Sequence, residues 1–166
     1  LQQWSPGVGR AVEKTDATSA LFNSFPLVHE DSTLQIDVNA LPEKRFKTLE
    51  WILALQEAIL ERPSIHNCFG LHEWAMLYKT EEPRHPYLKY RIPSSIIDQT
   101  VEQSDLQCTH FDAYRFFTQD AVPQNAHELK REGMLQLEQG GCIHNNMDVY
   151  KWAIKFYPWI DSTFIW

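Results

Sequence analysis

The sequence predicts a mainly helical α+β domain that includes a small antiparallel sheet. Two long segments, Pro42–Glu61 and Asn146–Tyr157, repeat apolar residues at helical spacing, and two short ones, 87–92 and 106–111, alternate apolar and polar residues. At 166 residues, of which 43% are hydrophobic, the chain is long enough to bury a sizeable core. We therefore predict a single domain over residues 1–166.

We predict mostly loop for the first part of the chain, as far as about Val38, because glycine and proline recur in it. A short helix is expected around Ala17–Phe25. The segment Pro42–Glu61 is the clearest helix, since proline is well placed in its first turn and Pro63 ends it.

The apolar residues of this long helix predict that it lies at the centre of the core. One face is formed by Phe46, Leu49, Leu53 and Leu60. The residues that widen this face are Trp51, Ile52, Leu55 and Ile59.

Four further helices are predicted beyond Pro63. Gly70–Lys79 follows the first cysteine, and Ser94–Gln103 is expected to be capped by Ser94 or Ser95. Asn125, with Glu128 three residues later, opens a polar helix that Gly140 and Gly141 close. The last helix runs from Asn146 to Tyr157 and stops at Pro158. The alternating segments 87–92 and 106–111 are expected to pair as strands.

Composition and charge exclude several classes of protein. The net charge of −7 argues against a stable grip on nucleic acid, which needs clustered Lys and Arg facing the phosphates. No apolar run approaches the roughly 20 residues that cross a bilayer, so no membrane span is expected. Three cysteines favour free thiols over a disulfide framework, which predicts an intracellular, reducing compartment, whether cytoplasm or organelle. The apolar end at Phe164–Trp166 predicts that the chain is the central part of a longer protein.

Three short segments, beginning at Cys68, Cys108 and Cys142, resemble one another. In each, a cysteine comes two or four residues before a histidine, and a carboxylate and an aromatic residue follow. Thiol, imidazole and carboxylate are the groups that bind metals and move protons. We therefore predict one pocket assembled from the three segments.

The pocket prediction assigns each residue type a role. The histidines are candidate ligands of a divalent transition metal, or proton carriers: His72, His110 and His144. The carboxylates are candidate catalytic bases: Glu73, Asp112 and Asp148. The aromatic residues are candidate ligand-binding walls: Trp74, Tyr114 and Trp152.

Plainer interpretations stay open for each of these residues. Asp112 and Asp148 stand three residues before Arg115 and Lys151, which also fits simple helical ion pairs. The cysteines fit buried core thiols, and a thiol nucleophile needs a base within reach. Met76 stands where a zinc protease helix needs its second histidine, and the cysteine spacings match no zinc finger.

Four strings, at Gln3–Gly7, Cys68–Met76, Cys108–Phe117 and Gly141–Ala153, carry a family resemblance. They resemble a family of conserved, little-characterised proteins whose bacterial members often bear the label 3-methyladenine DNA glycosylase. Members of this family extend beyond both ends of the chain. The label implies excision of a flipped base, which needs an aromatic pocket and a carboxylate.

Three hypotheses of function follow, and they leave open whether the protein is an enzyme. The first is an enzyme-like domain whose His/Cys/Asp pocket binds a metal or a small molecule. The second is a non-catalytic accessory subunit or interaction domain of a larger protein assembly, for which an exposed patch around Trp159–Trp166 is expected. The third is the glycosylase that the resemblance implies.

Overall fold

A computed structural model describes residues 5–68, 70–85, 87 and 89–165. It confirms the predicted class, because helices dominate and one small antiparallel sheet is present. Within the described residues, no helix is long and apolar enough to cross a membrane. The chain groups into two compact units, the first comprising Leu1–Trp51 with Met147–Trp166 and the second comprising Ile52–Asn146.

The sheet belongs to the first unit and has three strands. β1 (Val12–Glu13) and β2 (Leu27–Glu30) both pair antiparallel with β3 (Thr33–Ile36), which is the central strand. The alternation of β3 buries Leu34 and Ile36. The prediction of mostly loop before Val38 missed this sheet, because strands of two to four residues give too short an alternation to stand out in the sequence.

The predicted strands at 87–92 and 106–111 are wrong. Among the described residues of 87–92, which leave out Leu88, none is in a strand, and in 106–111 Leu106 alone forms an isolated bridge, with Asn125. The Asn125 side chain accepts a hydrogen bond from the Cys108 N–H at 2.7 Å and donates to the Cys108 carbonyl at 2.9 Å. A side chain thus satisfies backbone groups that a neighbouring strand would otherwise pair.

Helices form the rest of the regular structure. Their bounds are α1 Asp16–Leu21, α2 Glu43–Glu61, α3 Leu71–Ala75, α4 Ser94–Gln103, α5 Phe111–Tyr114, α6 Met134–Leu137 and α7 Ile143–Lys155. The helices predicted near α1, α2, α4 and α7 are confirmed, and the one predicted near α3 is shorter than expected.

Two predictions about helix starts are wrong. Asn125 does not open a helix, because its amide is used on Cys108 and the His127 carbonyl; a 3₁₀ turn at Arg131–Gly133 and the single turn of α6 replace the expected long helix. In α4 the cap position is Pro93, and neither predicted serine caps the helix.

The predicted buried face of α2 is also wrong. Phe46, Leu53 and Leu60 are 47%, 59% and 85% exposed. The buried residues of the helix are Ile52, Leu55 and Ile59, which were expected only to widen that face. Both sets have helical spacing, so periodicity alone could not choose between them.

The core of the second unit supports the segments that carry the cysteine–histidine motifs. Tyr78 follows α3, Val101 lies on α4 and Tyr114 on α5, and all three are buried in one apolar cluster. Cys108 is part of the same cluster. The segments around the first two motifs are therefore anchored on a common core.

Candidate functional site

The three motif histidines, all in the second unit, lie side by side. The rings of His72 and His144 have centroids 4.5 Å apart and meet edge to face, with 75° between their planes. The rings of His110 and His144 have centroids 5.1 Å apart and are stacked, with 13° between their planes. The structure thus brings together imidazoles that the sequence separates by more than thirty residues each.

Local structure at each helix start places these rings. His72 is the second residue of α3, whose first turn follows Gly70 in the left-handed region at φ 82°. His110 is the N-cap residue immediately before α5, and His144 lies in the first turn of α7. Just before α7, a Cβ on Gly141 would collide with the Ile65 carbonyl, so the approach of the chain there requires glycine.

The buried side chain of Gln139 holds three segments of the site in register. Its Oε1 accepts from the N–H of Ile65 at 2.8 Å and from that of Gly141 at 2.7 Å. Its Nε2 donates to the Ile65 carbonyl at 3.1 Å and to the Thr109 hydroxyl at 3.3 Å. The segments bearing His110 and His144 are therefore tied to each other through one amide.

In each of the three imidazoles, Nδ1 faces a partner. Nδ1 of His72 lies 3.0 Å from Cys68 Sγ, and Nδ1 of His110 lies 2.9 Å from Glu138 Oε2. Nδ1 of His144 makes a longer contact, 3.9 Å, with Cys142 Sγ. A partner on Nδ1 fixes the orientation of an imidazole ring.

The His110–Glu138 pair is the most deeply buried ionisable contact of the site. The two side chains are 3% and 1% exposed, and Glu138 Oε1 also accepts from the Phe111 N–H at 3.4 Å. Arg62 donates to the backbone carbonyls of Glu138 and Leu135, which fixes the end of α6. An unpaired buried carboxylate raises the free energy of the folded state, so the contact with His110 stabilises Glu138 in this position.

Burial also determines protonation around the cluster. Burial, together with the neighbouring His144, lowers the pKa of His72, so its imidazole is neutral at neutral pH. Burial raises the pKa of Cys108 to about 12, and it also raises the pKa of Cys142. Both residues are therefore thiols at neutral pH, and neither is an activated nucleophile.

A cavity of about 370 Å³ opens beside His72 and His144. This volume lies at the lower end of the range of about 300–1,000 Å³ that is usual for small-molecule sites. The other residues that line it are Glu73, Met76, Leu77, Arg84, His85, Tyr90 and Phe116. Imidazoles thus meet an aromatic and apolar wall, the composition expected of a ligand site.

A smaller cavity of about 140 Å³ shares Glu73, Leu77 and Tyr90 with the larger one. Trp74 and Arg91 also line it. Of the predicted carboxylates and aromatic walls, Glu73 and Trp74 therefore line these two cavities.

The other predicted residues have contacts of another kind. Tyr114 is buried in the core against Phe117, with ring centroids 5.1 Å apart. Asp112 pairs with Arg115 at 3.3 Å and with Arg131 at 3.8 Å. None of these is among the described residues that line the cavity, so the roles predicted for Asp112 and Tyr114 stay predictions.

Asp148 and Trp152 belong to the first unit. The carboxylate of Asp148 accepts a hydrogen bond from the Lys151 ammonium, as the plainer interpretation expected. Trp152 meets Trp51 edge to face, with ring centroids 5.9 Å apart. Their predicted places in a shared pocket are left untested by these contacts.

Metal binding by the three histidines also stays a prediction. Within the described part of the chain, no group of three or more His, Cys, Asp or Glu side chains is arranged to hold a metal ion. The stacked rings of His110 and His144 give a geometric reason, because lone pairs that lie in nearly parallel ring planes do not converge on one ion.

Sequence reasoning missed Glu138, Arg84 and Phe116. Glu138 follows the short helix α6, where it reads as part of a polar surface. A signal was present in the adjacent Gly140–Gly141 pair, because consecutive glycines mark a close approach of two backbones as well as a helix end. Phe116 lies inside the string Cys108–Phe117 but was assigned no role, and Arg84 gave no motif signal.

The patch expected around Trp159–Trp166 is not contiguous over its described residues, which leave out Trp166. Phe164 is 79% exposed, but Ile165 and Asp161 are buried.

No family model, no curated protein and no solved structure matches the chain. The glycosylase resemblance therefore rests on the four motif strings alone and stays a prediction.

Proposed function

We propose that the second unit binds a small organic molecule in the cavity of about 370 Å³ and exchanges protons with it through His72 and His144. The observation that carries the proposal is the contact of these two imidazoles, 4.5 Å between centroids, at the wall of a cavity that is otherwise largely aromatic and apolar. Clustered ionisable groups with perturbed pKa values in a cleft are typical of functional sites.

The chemistry follows from the state of His72. Because its pKa is lowered, it is an uncharged imidazole that is available as a general base. The contact between Nδ1 and Cys68 Sγ is linked to the tautomer of His72. If the thiol donates, Nε2 carries the ring proton. If Nδ1 donates, Nε2 carries the lone pair and can accept a proton. His144, in contact with both other histidines, is the natural second proton carrier.

The buried Glu138 supports this role from behind the cluster. It fixes His110, and His110 stacks on His144. The pair therefore fixes the ring against which His144 stacks.

The other two hypotheses have less support from the contacts. Base excision needs a carboxylate at the pocket. Glu73 lines the cavity, but Asp112 and Asp148 are paired with cations. An assembly role is favoured by exposure rather than by contacts, since Phe46, Leu53 and Leu60 are exposed along one face of α2.

Nuclear magnetic resonance of the full chain, with ¹³C at the histidine Cε1 positions, would test the proposal. A library of small polar metabolites is added, and binding is expected to shift the His72 and His144 signals together. The same library is then incubated with the protein and its loss is followed by mass spectrometry. His72→Gln should reduce any turnover by at least about a hundredfold, the usual contribution of a general base.

The matched control is His66→Gln, which changes an exposed histidine of the same unit. It should leave both shifts and turnover as in the unaltered protein. If library compounds shift neither His72 nor His144, or if His66→Gln has the same effect as His72→Gln, the proposal is wrong.

A further inference from the structure

Arg84 lies at the cavity and is the one described arginine that lines it. Its guanidinium lies over the ring of Phe116, 4.0 Å from the centroid. Contact with an aromatic face holds the guanidinium in place and leaves the N–H groups at its edge available to a ligand. Both residues of this contact are part of the same cavity wall.

The neighbouring Arg115 shows what is different about Arg84. Arg115 lies over the same ring, 4.5 Å from the centroid, but its guanidinium also pairs with Asp112 at 3.3 Å. Within the described residues, Arg84 makes no ion pair and no hydrogen bond. One arginine on Phe116 is therefore neutralised, and the other presents its donors unpaired.

The segment that begins at Arg84 is basic, although Glu81 and Glu82 precede it and Glu73 lines the same cavity. Residues 84–91 contain Arg84, Lys89 and Arg91 and no acidic residue, in a chain of net charge −7. His85 also lines the cavity, and its Nδ1 lies 3.2 Å from the Tyr87 hydroxyl. Because the net charge of the protein is negative and Glu73 lines the cavity, an anion that binds here must be held by local groups such as Arg84.

The remaining wall favours a flat, apolar body. Met76 and Leu77 contribute aliphatic surface, and Tyr90 and Phe116 contribute rings. Aromatic and thioether side chains pack well against planar unsaturated groups. The cavity thus joins a surface for a planar body to an unpaired fork of N–H donors.

We propose that the molecule bound in this cavity carries a carboxylate or phosphate group on an aromatic or other planar body. This inference rests on the proposed function, since it names the class of ligand for the same site. The oxyanion binds the Arg84 guanidinium, which matches the two oxygens of such groups with paired donors. Another part of the molecule contacts His72 and His144.

Three probes of similar size test the inference on the full chain: benzoate, phenyl phosphate and the neutral benzamide. Dissociation constants are measured from the His72 and His144 shifts. We expect at least one anionic probe to bind about tenfold or more tightly than benzamide, which is the discrimination expected of one charge-assisted contact. The tighter of the two anions identifies the carboxylate or the phosphate as the recognised group.

Arg84→Gln should weaken the anionic probe about tenfold, to the level of benzamide, while benzamide itself is unaffected. Arg115→Gln is the matched control, because it removes a guanidinium from the same ring but one already paired with Asp112. It should change binding of the anion by less than about threefold, in keeping with the small energies of exposed pairs.

The outcomes separate this inference from the proposed function. If benzamide binds as tightly as both anions, or if Arg84→Gln leaves the anion unaffected, the assignment of an anionic ligand is wrong and the ligand site itself stands. If no probe binds and the metabolite library also gives no shift of His72 or His144, the proposed function fails and the inference fails with it.

Discussion

Two carboxylates of the second unit, Asp112 and Glu138, differ in how they meet their partners. Asp112 lies two residues after His110 and pairs with Arg115, three residues further on, while its side chain is 31% exposed. Glu138 lies 28 residues from His110 and contacts its Nδ1 at 2.9 Å, with a side chain that is 1% exposed. The carboxylate next to the histidine in sequence is therefore not the one that holds it.

The difference teaches that a motif read along the chain identifies residue types better than it identifies partners. Exposed pairs formed within one helical turn contribute little to stability, because water competes for both charges. A buried pair cannot be exchanged for water, so loss of one partner leaves the other uncompensated. The following predictions test how far this contrast extends through the site.

The largest effect is expected at Glu138. Glu138→Ala should lower the free energy of unfolding by about 3–5 kcal/mol, because it removes the buried hydrogen-bond partner of His110 Nδ1 and of the Phe111 N–H. Urea denaturation of the full chain measures this loss. Asp112→Ala is the control and should lower stability by less than about 1 kcal/mol. Equal losses in the two variants would remove the contrast.

The next effect is expected at Gly141. A Cβ there would strike the backbone of Ile65, so Gly141→Ala should lower the free energy of unfolding by about 1–3 kcal/mol. At Gly133 the nearest atom to a new Cβ is Leu137 Cδ1, 3.9 Å away, which is ordinary contact. Gly133→Ala should therefore be neutral or stabilising by a few tenths of a kcal/mol. Thermal melts that rank the two variants the other way would contradict the close approach.

Much of the fold class could be predicted, because helices of ten or more residues leave a periodic pattern. The sheet and the buried face of α2 could not, since short strands and two apolar stripes give ambiguous patterns. Of the site, the histidines were visible as a repeated motif. Glu138 and Arg84 were not, because their roles depend on contacts that only the folded chain creates.

A smaller effect concerns pH. The pKa of His72 is lower in the folded protein than its ordinary value of 6.5, so the unfolded chain binds more protons in the window just below 6.5. Stability should therefore rise with pH through that window and level off above it. The groups that act on His72 are His144, His110 and Glu73, of which Glu73 alone raises its pKa.

His72→Gln should flatten this rise in a series of denaturation curves between about pH 5 and 7. His66→Gln, at an exposed position, should leave the slope unchanged. An unchanged slope in His72→Gln would mean that burial does not set the protonation of His72.

The smallest expected effect is a difference in salt sensitivity between the Asp112–Arg115 pair and the Glu138–His110 pair. A double-mutant cycle of Asp112→Asn with Arg115→Gln should give a coupling energy of about 0.2–0.5 kcal/mol at low salt, as for other helical pairs three residues apart. At 1 M salt the screening length falls to about 3 Å, and this coupling should vanish. The cycle of Glu138→Gln with His110→Gln should keep most of its coupling, because salt does not reach a pair that is 3% and 1% exposed. Equal salt sensitivity of the two couplings would mean that Glu138 and His110 meet in the presence of solvent, and the support they give to His144 would then be lost.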